Sequence, residues 1–129
     1  MITKLASVTV YVEDHDKALG FYVTKLGFKV ISDVTLPGGF RWLTVAPSEK
    51  SETQIVLEDA AASGRARALP KATGLNSTWV FYCDDCRETS RTLKERGVRI
   101  TREPQERPYG IEATFEDLYG NPFALVERR

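Results

Sequence analysis

Hydrophobic and polar positions follow the same order twice along this chain. Residues 10–30 read VYVEDHDKALGFYVTKLGFKV and residues 80–100 read VFYCDDCRETSRTLKERGVRI. Each segment predicts an apolar strand with an acidic end, then a helix, then a second strand opened by Gly27 or Gly97. Two further strand-like runs follow in each copy. A repeat of this size cannot bury its apolar face alone, so the pattern predicts two modules that pack together and leave a seam for a ligand.

The first module is expected over residues 1–58 of the chain. Asp14 is predicted to cap its helix and Gly27 to end it, while Pro37-Gly38-Gly39 predicts a turn. The predicted elements of this module are strands over Leu5–Val12, Phe40–Ala46 and Gln54–Glu58, and a helix over His15–Leu26.

The second module is expected over residues 77–129, after a linker at residues 59–76 that is rich in Ala and contains Pro70. Asp85 is predicted to cap its helix. Because Pro104 and Pro108 interrupt residues 103–110, that segment is predicted to be an irregular loop. The predicted elements are strands over Ser77–Cys83, Val98–Thr101, Ile111–Glu116 and Pro122–Glu127, and a helix over Asp85–Arg96.

Alternation along the strands sorts their residues into two faces. The face predicted to lie beneath the helices is apolar and comprises Val8, Val10, Leu43, Val45, Ile55, Leu57, Trp79, Phe81, Phe115, Phe123 and Leu125. The opposite face, which we call the amphipathic face, comprises Ser7, Thr9, Tyr11, Trp42, Thr44, Gln54, Val56, Glu58, Thr78, Val80, Tyr82, Glu112, Thr114, Ala124 and Val126. A ligand cup, a solvated sheet face and a dimer contact all fit this second face.

Charge and composition exclude several classes of partner. The 129 residues include 18 Lys plus Arg and 18 Asp plus Glu, so no basic field attracts nucleic acid or anionic lipid. No apolar run approaches the roughly 18 residues of a membrane span, and the amino terminus lacks the pattern of a signal peptide. With two Cys and no disulfide framework, we expect a cytoplasmic protein that binds neither nucleic acid nor membrane.

Two segments resemble the vicinal oxygen chelate superfamily, which includes glyoxalase I, bleomycin-resistance proteins and extradiol dioxygenases. One is VTVYVEDHDKALGFYVTKLGF at residues 8–28, and the other is RPYGIEATFEDLYGNPFALVE at residues 107–127, with its D-x-x-G-N-P-F signature. The resemblance implies a single α+β domain of two βαβββ modules that form an open cupped barrel, usually as a homodimer. A fold does not fix a function, so activity has to be argued from the site.

Enzymes of that superfamily hold a divalent metal through four side chains of the cup, typically His, Glu or Gln. Carried over by matching motifs, these positions are Ser7, Val56, Thr78 and Ala124 in this chain. None is a strong metal ligand, and a catalytic divalent site needs three or more imidazole or carboxylate donors. We therefore expect no metal and no other cofactor. The single histidine, His15, is predicted to lie at the start of the first helix, away from the cup.

Other residues carry candidate chemistry, each with an alternative interpretation. Glu58 and Glu112 are candidates for an acid–base pair or for binding a cationic group, or else they solvate a sheet face. The pair Cys83 and Cys86 has redox spacing, but small buried packing residues explain it better. The aromatic residues predicted to stack on a planar ligand, or to form a dimer contact, are Tyr11, Trp42 and Tyr82, with Tyr109 covering the cup or lying on the surface.

The leading hypothesis from the sequence is a metal-independent homodimer that binds a small organic ligand, possibly planar or aromatic, without transforming it. The residues predicted to contact the ligand are Ser7, Thr9, Tyr11, Trp42, Gln54, Val56, Glu58, Thr78, Tyr82, Tyr109, Glu112 and Ala124. A lyase or dioxygenase-like enzyme of the same superfamily, acting on a small organic substrate, is the alternative. A structural or regulatory dimer with a vestigial cup is the third.

Overall fold

A computed structural model describes residues 1–61 and 79–129 of the chain. These residues fall into two compact units, 1–61 in the first and 79–129 in the second. Each unit contains a strand, a helical segment and three more strands, which is the βαβββ order that the repeat predicts. Most of the predicted linker, and Ser77 and Thr78 at the start of the second module, lie outside the described residues.

The first unit is a four-stranded mixed sheet with one helical segment. Its sheet order is β1-β4-β3-β2, in which β1 pairs with β4 in parallel and the other pairs are antiparallel. Its elements are β1 (Ser7–Val12), α1 (His15–Leu19), a π-helical segment (Gly20–Lys25), β2 (Lys29–Thr35), β3 (Arg41–Ala46) and β4 (Gln54–Asp59).

Alternation places the apolar face of this sheet in the core of the first unit. Val10, Leu43, Val45 and Leu57 are almost fully buried, and Tyr22 of the helical segment is completely buried. The register pairs Val10 with Leu57 and Val8 with Ile55, so the residues that the sequence assigned to one face do share it.

The first helix is shorter than the predicted His15–Leu26. The α-helical part ends at Leu19, and residues 20–25 continue as a π-helix, in which the backbone N–H of Leu26 donates to the carbonyl of Phe21 at 3.1 Å. The wider turn still buries Phe21 and Tyr22. Sequence periodicity cannot distinguish the two helix types over so short a segment, because both bury an apolar stripe.

Asp14 caps α1, as predicted. Its side chain accepts a hydrogen bond from the backbone N–H of Lys17 at 2.9 Å, and this bond is the main cause of the lowered pKa of the Asp14 carboxyl. A lowered pKa means that the contribution to stability is present above the ordinary carboxyl pKa and is lost as the pH falls through the lowered value.

Replacing this cap is expected to destabilise the fold modestly. Asp14→Ala leaves a helix N–H without a partner and should lower Tm by a few degrees, whereas Asp14→Asn keeps an acceptor oxygen and should lower it less. Thermal denaturation near neutral pH and again below pH 4 measures the effect, which should shrink at the acid pH. Equal Tm values for all three proteins at neutral pH would show that Asp14 does not stabilise the helix.

The second unit repeats the architecture of the first. Its sheet order is β5-β8-β7-β6, with β5 and β8 parallel and the other pairs antiparallel. Asp85 caps its helix by accepting from the N–H of Glu88 at 2.9 Å, as predicted. The elements are β5 (Trp79–Tyr82), α2 (Cys86–Glu95), β6 (Arg99–Arg107), β7 (Gly110–Glu116) and β8 (Pro122–Arg128).

The predicted loop at residues 103–110 is wrong, because most of it belongs to the long strand β6. Strand β6 lies at the edge of its sheet and pairs only with β7 in the described part of the chain. The register shifts between Arg102 and Gln105, around Pro104. A proline that cannot donate to a ladder is tolerated at such an edge or bulge. Only Pro108 and Tyr109 remain in the turn that leads to β7.

An aromatic cluster forms the core of the second unit. Phe123 is fully buried, and its ring centre lies 5.3 Å from that of Phe81 and 5.4 Å from that of Phe115. Cys86 at the start of α2 donates its thiol toward the Leu125 carbonyl at 3.6 Å, which places the helix on this side of the sheet. The amphipathic face of the second unit is therefore the face away from α2.

Candidate functional site

The amphipathic face of the first unit is assembled by the parallel pairing of β1 with β4. The register brings the predicted ligand-contacting residues together in three pairs: Ser7 with Gln54, Thr9 with Val56, and Tyr11 with Glu58. All are partly accessible or exposed except Val56, which is 3% exposed. A row of hydroxyl, amide and carboxylate groups thus borders an apolar centre, an arrangement that suits an organic ligand with a few polar substituents.

Trp42 gives this face its aromatic surface. It lies on β3 opposite Val34 of β2, and the two side chains are 37% and 49% exposed. Phe40 and Leu36 on the adjoining hairpin are exposed as well. Single exposed apolar residues are ordinary, but several on neighbouring strands make this face a candidate binding surface.

Arg41 fixes the strand that carries Trp42. Its guanidinium donates through Nε and Nη2 to the two carboxylate oxygens of Asp33, at 2.9 Å each, and through Nη1 to Asp16 at 3.0 Å. These bonds raise the pKa of Arg41 and lower the pKa of Asp33. A forked guanidinium between two carboxylates holds a hairpin in one register. No pattern in the sequence predicts this long-range contact.

The aromatic residues of the second unit surround a shallow depression of about 470 Å³. Tyr82 and Tyr109, which are 63% and 53% exposed, lie at its rim. The guanidinium carbon of Arg128 lies 4.0 Å from the centre of the Tyr82 ring, in cation–π geometry. The lining residues are Val80, Tyr82, Tyr109, Glu112, Val126, Arg128 and Arg129. The structure therefore brings together three of the predicted residues, Tyr82, Tyr109 and Glu112.

Tyr109 and Glu112 form a polar edge to this depression. Partial desolvation raises the pKa of the Tyr109 phenol, and the hydrogen bond that it donates to the Glu112 carboxylate raises it further. Tyr109 is therefore protonated at neutral pH and occupies one acceptor position of Glu112. A role for Glu112 as a free base is less favourable for this reason.

Ala124, another predicted contact residue, is not among the residues that line this depression. Ala124, opposite Thr114 in the register, is 1% exposed. The hydroxyls of Thr114 and Thr101 lie 2.7 Å apart, so each has a partner. Thr78, the remaining predicted contact residue, lies outside the described residues.

His15 has a structural role that the sequence did not predict. Its Nε2 lies 3.0 Å from the carbonyl oxygen of Leu57, which ties the start of α1 to strand β4. The ring is therefore partly buried against the sheet. The sequence predicted only that His15 lies at the start of the helix.

The two cysteines are packing residues in this structure. Burial is the main cause that raises the pKa of the Cys83 thiol to about 12, and it raises the pKa of Cys86 as well. Desolvation is the largest cause of the raised pKa at both thiols. Thiols that stay protonated at neutral pH are poor nucleophiles, which disfavours the redox hypothesis.

Sequence reasoning missed Glu116, the last residue of β7. It is 3% exposed, and its Oε1 accepts no hydrogen bond from any group in residues 1–61 or 79–129. The alternation that placed Glu112 and Thr114 on the amphipathic face extends to position 116. Its register partners, Arg99 and Pro122, agree with that placement. Extending the alternation of β7 by two residues from Thr114 would have placed Glu116 on the amphipathic face.

The family of this chain follows from comparison with known proteins. Residues 4–125 match the Glyoxalase/Bleomycin resistance protein/Dioxygenase superfamily, and the chain belongs to it. The two βαβββ modules described above are the fold of that superfamily, as the resemblance implied.

Individual relatives are similar over nearly their whole length. A crystal structure of TnmS3, an antibiotic binding protein from Streptomyces sp. CB03234, is 31% identical, covers 99% of this chain and 98% of its own, and superposes with a TM-score of 0.81. A superfamily member from Sphaerobacter thermophilus DSM 20745 is 34% identical over 98% of both chains, with a TM-score of 0.82. The uncharacterized protein YetH of Bacillus subtilis strain 168 is 34% identical over 98% of this chain and all of its own.

Three of the four positions that the resemblance assigns to metal ligands lie in the described part of the chain, and they offer few donor atoms. Ser7 offers one neutral hydroxyl, while Val56 and Ala124 offer no donor atom and are buried. Within the described ranges, no group of three or more His, Cys, Asp or Glu side chains is placed to hold a metal ion. A hydroxyl and two aliphatic side chains lack the imidazole, thiolate and carboxylate donors that usually hold a catalytic divalent ion.

The length and hydrophobicity of the described helices show whether any of them could cross a membrane. None of those in residues 1–61 and 79–129 is long and apolar enough to span a bilayer.

Proposed function

We propose that this protein binds a small organic ligand with planar or aromatic character on its amphipathic sheet faces, and that binding needs no metal ion. The observation that supports the proposal is the exposure of Trp42, Tyr82 and Tyr109, while Val56 and Ala124, which the resemblance matches to metal-ligand positions, are apolar and buried. Aromatic and apolar surface with few polar groups favours stacking on a flat ligand over coordination chemistry.

Similarity to an antibiotic binding protein supports this class of ligand. At 31% identity over nearly the whole chain, a shared mode of binding is a reasonable hypothesis, although the fold alone would not imply it. We propose that the protein sequesters its ligand, as bleomycin-resistance-type members do, and leaves it chemically unchanged.

In the first unit, Trp42 is proposed as the main stacking surface, with Tyr11 at the side. Glu58 and Gln54 supply a carboxylate and an amide that orient polar groups of a ligand. In the second unit, Tyr82 and Tyr109 provide the aromatic edges of the depression.

A binding screen tests the proposal. Planar aromatic antibiotics and metabolites are titrated into the purified protein while tryptophan fluorescence and heat are recorded, and at least one compound should saturate one site per subunit. The reaction mixture is then separated by chromatography. Recovery of the compound unchanged agrees with sequestration, and a stoichiometric or catalytic product would favour the enzyme alternative.

A two-fold symmetric homodimer of this protein in the cytoplasm is also proposed. Each four-stranded sheet has edge strands that are unpaired within its unit, and open edges tend to be covered by a partner. Light scattering at micromolar concentration should therefore give about twice the chain mass of 14.5 kDa. A mass of one chain would show that the protein acts as a monomer.

A further inference from the structure

The buried carboxylate of Glu116 is unusual because only one of its oxygens is near a positive charge. Arg99 Nη1 lies 3.6 Å from Oε2, beyond hydrogen-bond distance, and the Arg99 side chain is 68% exposed. Oε1 is buried and accepts no hydrogen bond among the described residues. Burying a carboxylate oxygen without a donor is unfavourable, and each such group in a folded protein calls for an explanation.

The neighbouring carboxylate shows what a purely structural role looks like. Asp117 is also buried, but its Oδ1 accepts from the backbone N–H groups of Tyr119 and Asn121 at 2.8 and 2.9 Å. Its Oδ2 accepts from the Asn121 side chain at 2.6 Å. Donors in the turn of the D-x-x-G-N signature thus bind both oxygens of Asp117. None of them donates to Oε1 of Glu116.

The position of Glu116 in the sheet connects it to the proposed binding face. It follows Glu112 and Thr114 at every second residue of β7, away from the Phe115 side that packs in the core. The Thr114 hydroxyl is already engaged with Thr101, and Ala124 beside it has no polar side chain. Glu116 Oε1 is therefore a buried polar acceptor without a described donor at this end of the face.

We infer that Glu116 is a specificity-determining residue that accepts a hydrogen bond from an N–H donor of the ligand, in its strongest form a protonated amine. This inference rests on the proposed function and adds the chemical class of the ligand. A charge-assisted hydrogen bond from the ligand would give Oε1 the donor that it lacks, which the exposed Arg99 does not provide. A ligand with an anionic group at this place is disfavoured by repulsion.

The test compares two probes that share one planar ring system, aminoacridine as the cation and acridine carboxylate as the anion. Calorimetric titrations use the wild-type protein, Glu116→Gln and a control, Glu95→Gln, which removes the same charge from an exposed position on α2. Wild type and Glu95→Gln should prefer the cation. Glu116→Gln should lose about tenfold in affinity for aminoacridine and should bind acridine carboxylate at least as tightly as the wild type does, because the repelling charge is gone.

Thermal denaturation separates this role from a structural one. Because Glu116→Gln keeps the shape and removes a poorly compensated charge, its Tm should equal or exceed that of the wild type. A marked fall in Tm, or a preference for the cation that survives in Glu116→Gln, would overturn the inference. Wild-type protein that binds both probes equally would refute the role of Glu116 but leave the proposed function standing. Binding of neither probe would also refute it, and the broader screen then decides the proposed function separately.

Discussion

Phe123→Ala is expected to lower the free energy of unfolding by about 3–5 kcal/mol. The side chain is fully buried and contacts Phe81 and Phe115 in the aromatic cluster of the second unit, so truncation removes apolar burial and leaves a cavity. Urea denaturation followed by circular dichroism measures the change. A domain of this size is stabilised by only about 5–15 kcal/mol, so the variant should be markedly less stable.

Phe40→Ala is the matched control for this substitution. Phe40 is 42% exposed beside the hairpin of the first unit. Its truncation should therefore lower the free energy of unfolding much less than truncation of Phe123 does. If both variants unfolded at the same urea concentration as the wild type, β8 would not pack through Phe123 and the assignment of strand faces in the second unit would be wrong.

Trp42→Ala is expected to weaken ligand binding by about 2 kcal/mol or more, on the order of a thirtyfold loss of affinity. The exposed indole lies on the amphipathic face of β3, a strand held in register by Arg41, and it offers the largest aromatic surface there. The same variant should lose most of the ligand-induced quenching of tryptophan fluorescence. Fluorescence titration with a compound from the screen measures both effects.

Trp79→Phe is the control for Trp42→Ala. Trp79 pairs with Phe123 and therefore lies on the apolar face of its sheet. Its replacement should leave affinity and quenching almost unchanged. The opposite result, with affinity insensitive to Trp42 and dependent on Trp79, would mean that the two faces were assigned in reverse. The positions matched to metal ligands would then no longer lie on the binding face.

Local patterns in the sequence predicted most of the fold because local physics determines those features. The caps at Asp14 and Asp85 and the glycine at position 27, whose φ is 79°, each follow from the backbone needs of a helix end. Strand alternation also gave the faces correctly, since a side chain must point to one side of a sheet or the other.

The errors arose where tertiary context decides the structure. Proline at position 104 argued for a loop, but an edge strand with a bulge accommodates it. Helical periodicity could not reveal the π-helical turns after Leu19. The hydrogen bond from Arg41 to Asp16 joins residues that are far apart in the sequence, and no short motif predicts it.

Sequence alternation predicted which residues share a face of the sheet but not how deeply each is buried. Alternation placed Tyr82 and Glu112 on one face, and the depression in the second unit contains both. The same alternation cannot show that Val56 is almost inaccessible while Tyr82 is mostly exposed, because burial depends on what packs above the sheet. Alternation also extends to Glu116, but only the structure shows that one of its oxygens is buried without a donor.

The most direct test of metal-independent binding is a titration of one preparation with and without a chelator. Protein purified without chelator is analysed for divalent metals, divided, and titrated with the same compound in the presence and absence of EDTA. The account predicts far less than one divalent ion per subunit and equal affinity in both halves. One tightly held ion per subunit, together with binding that EDTA abolishes, would contradict it and favour a metal-dependent lyase or dioxygenase.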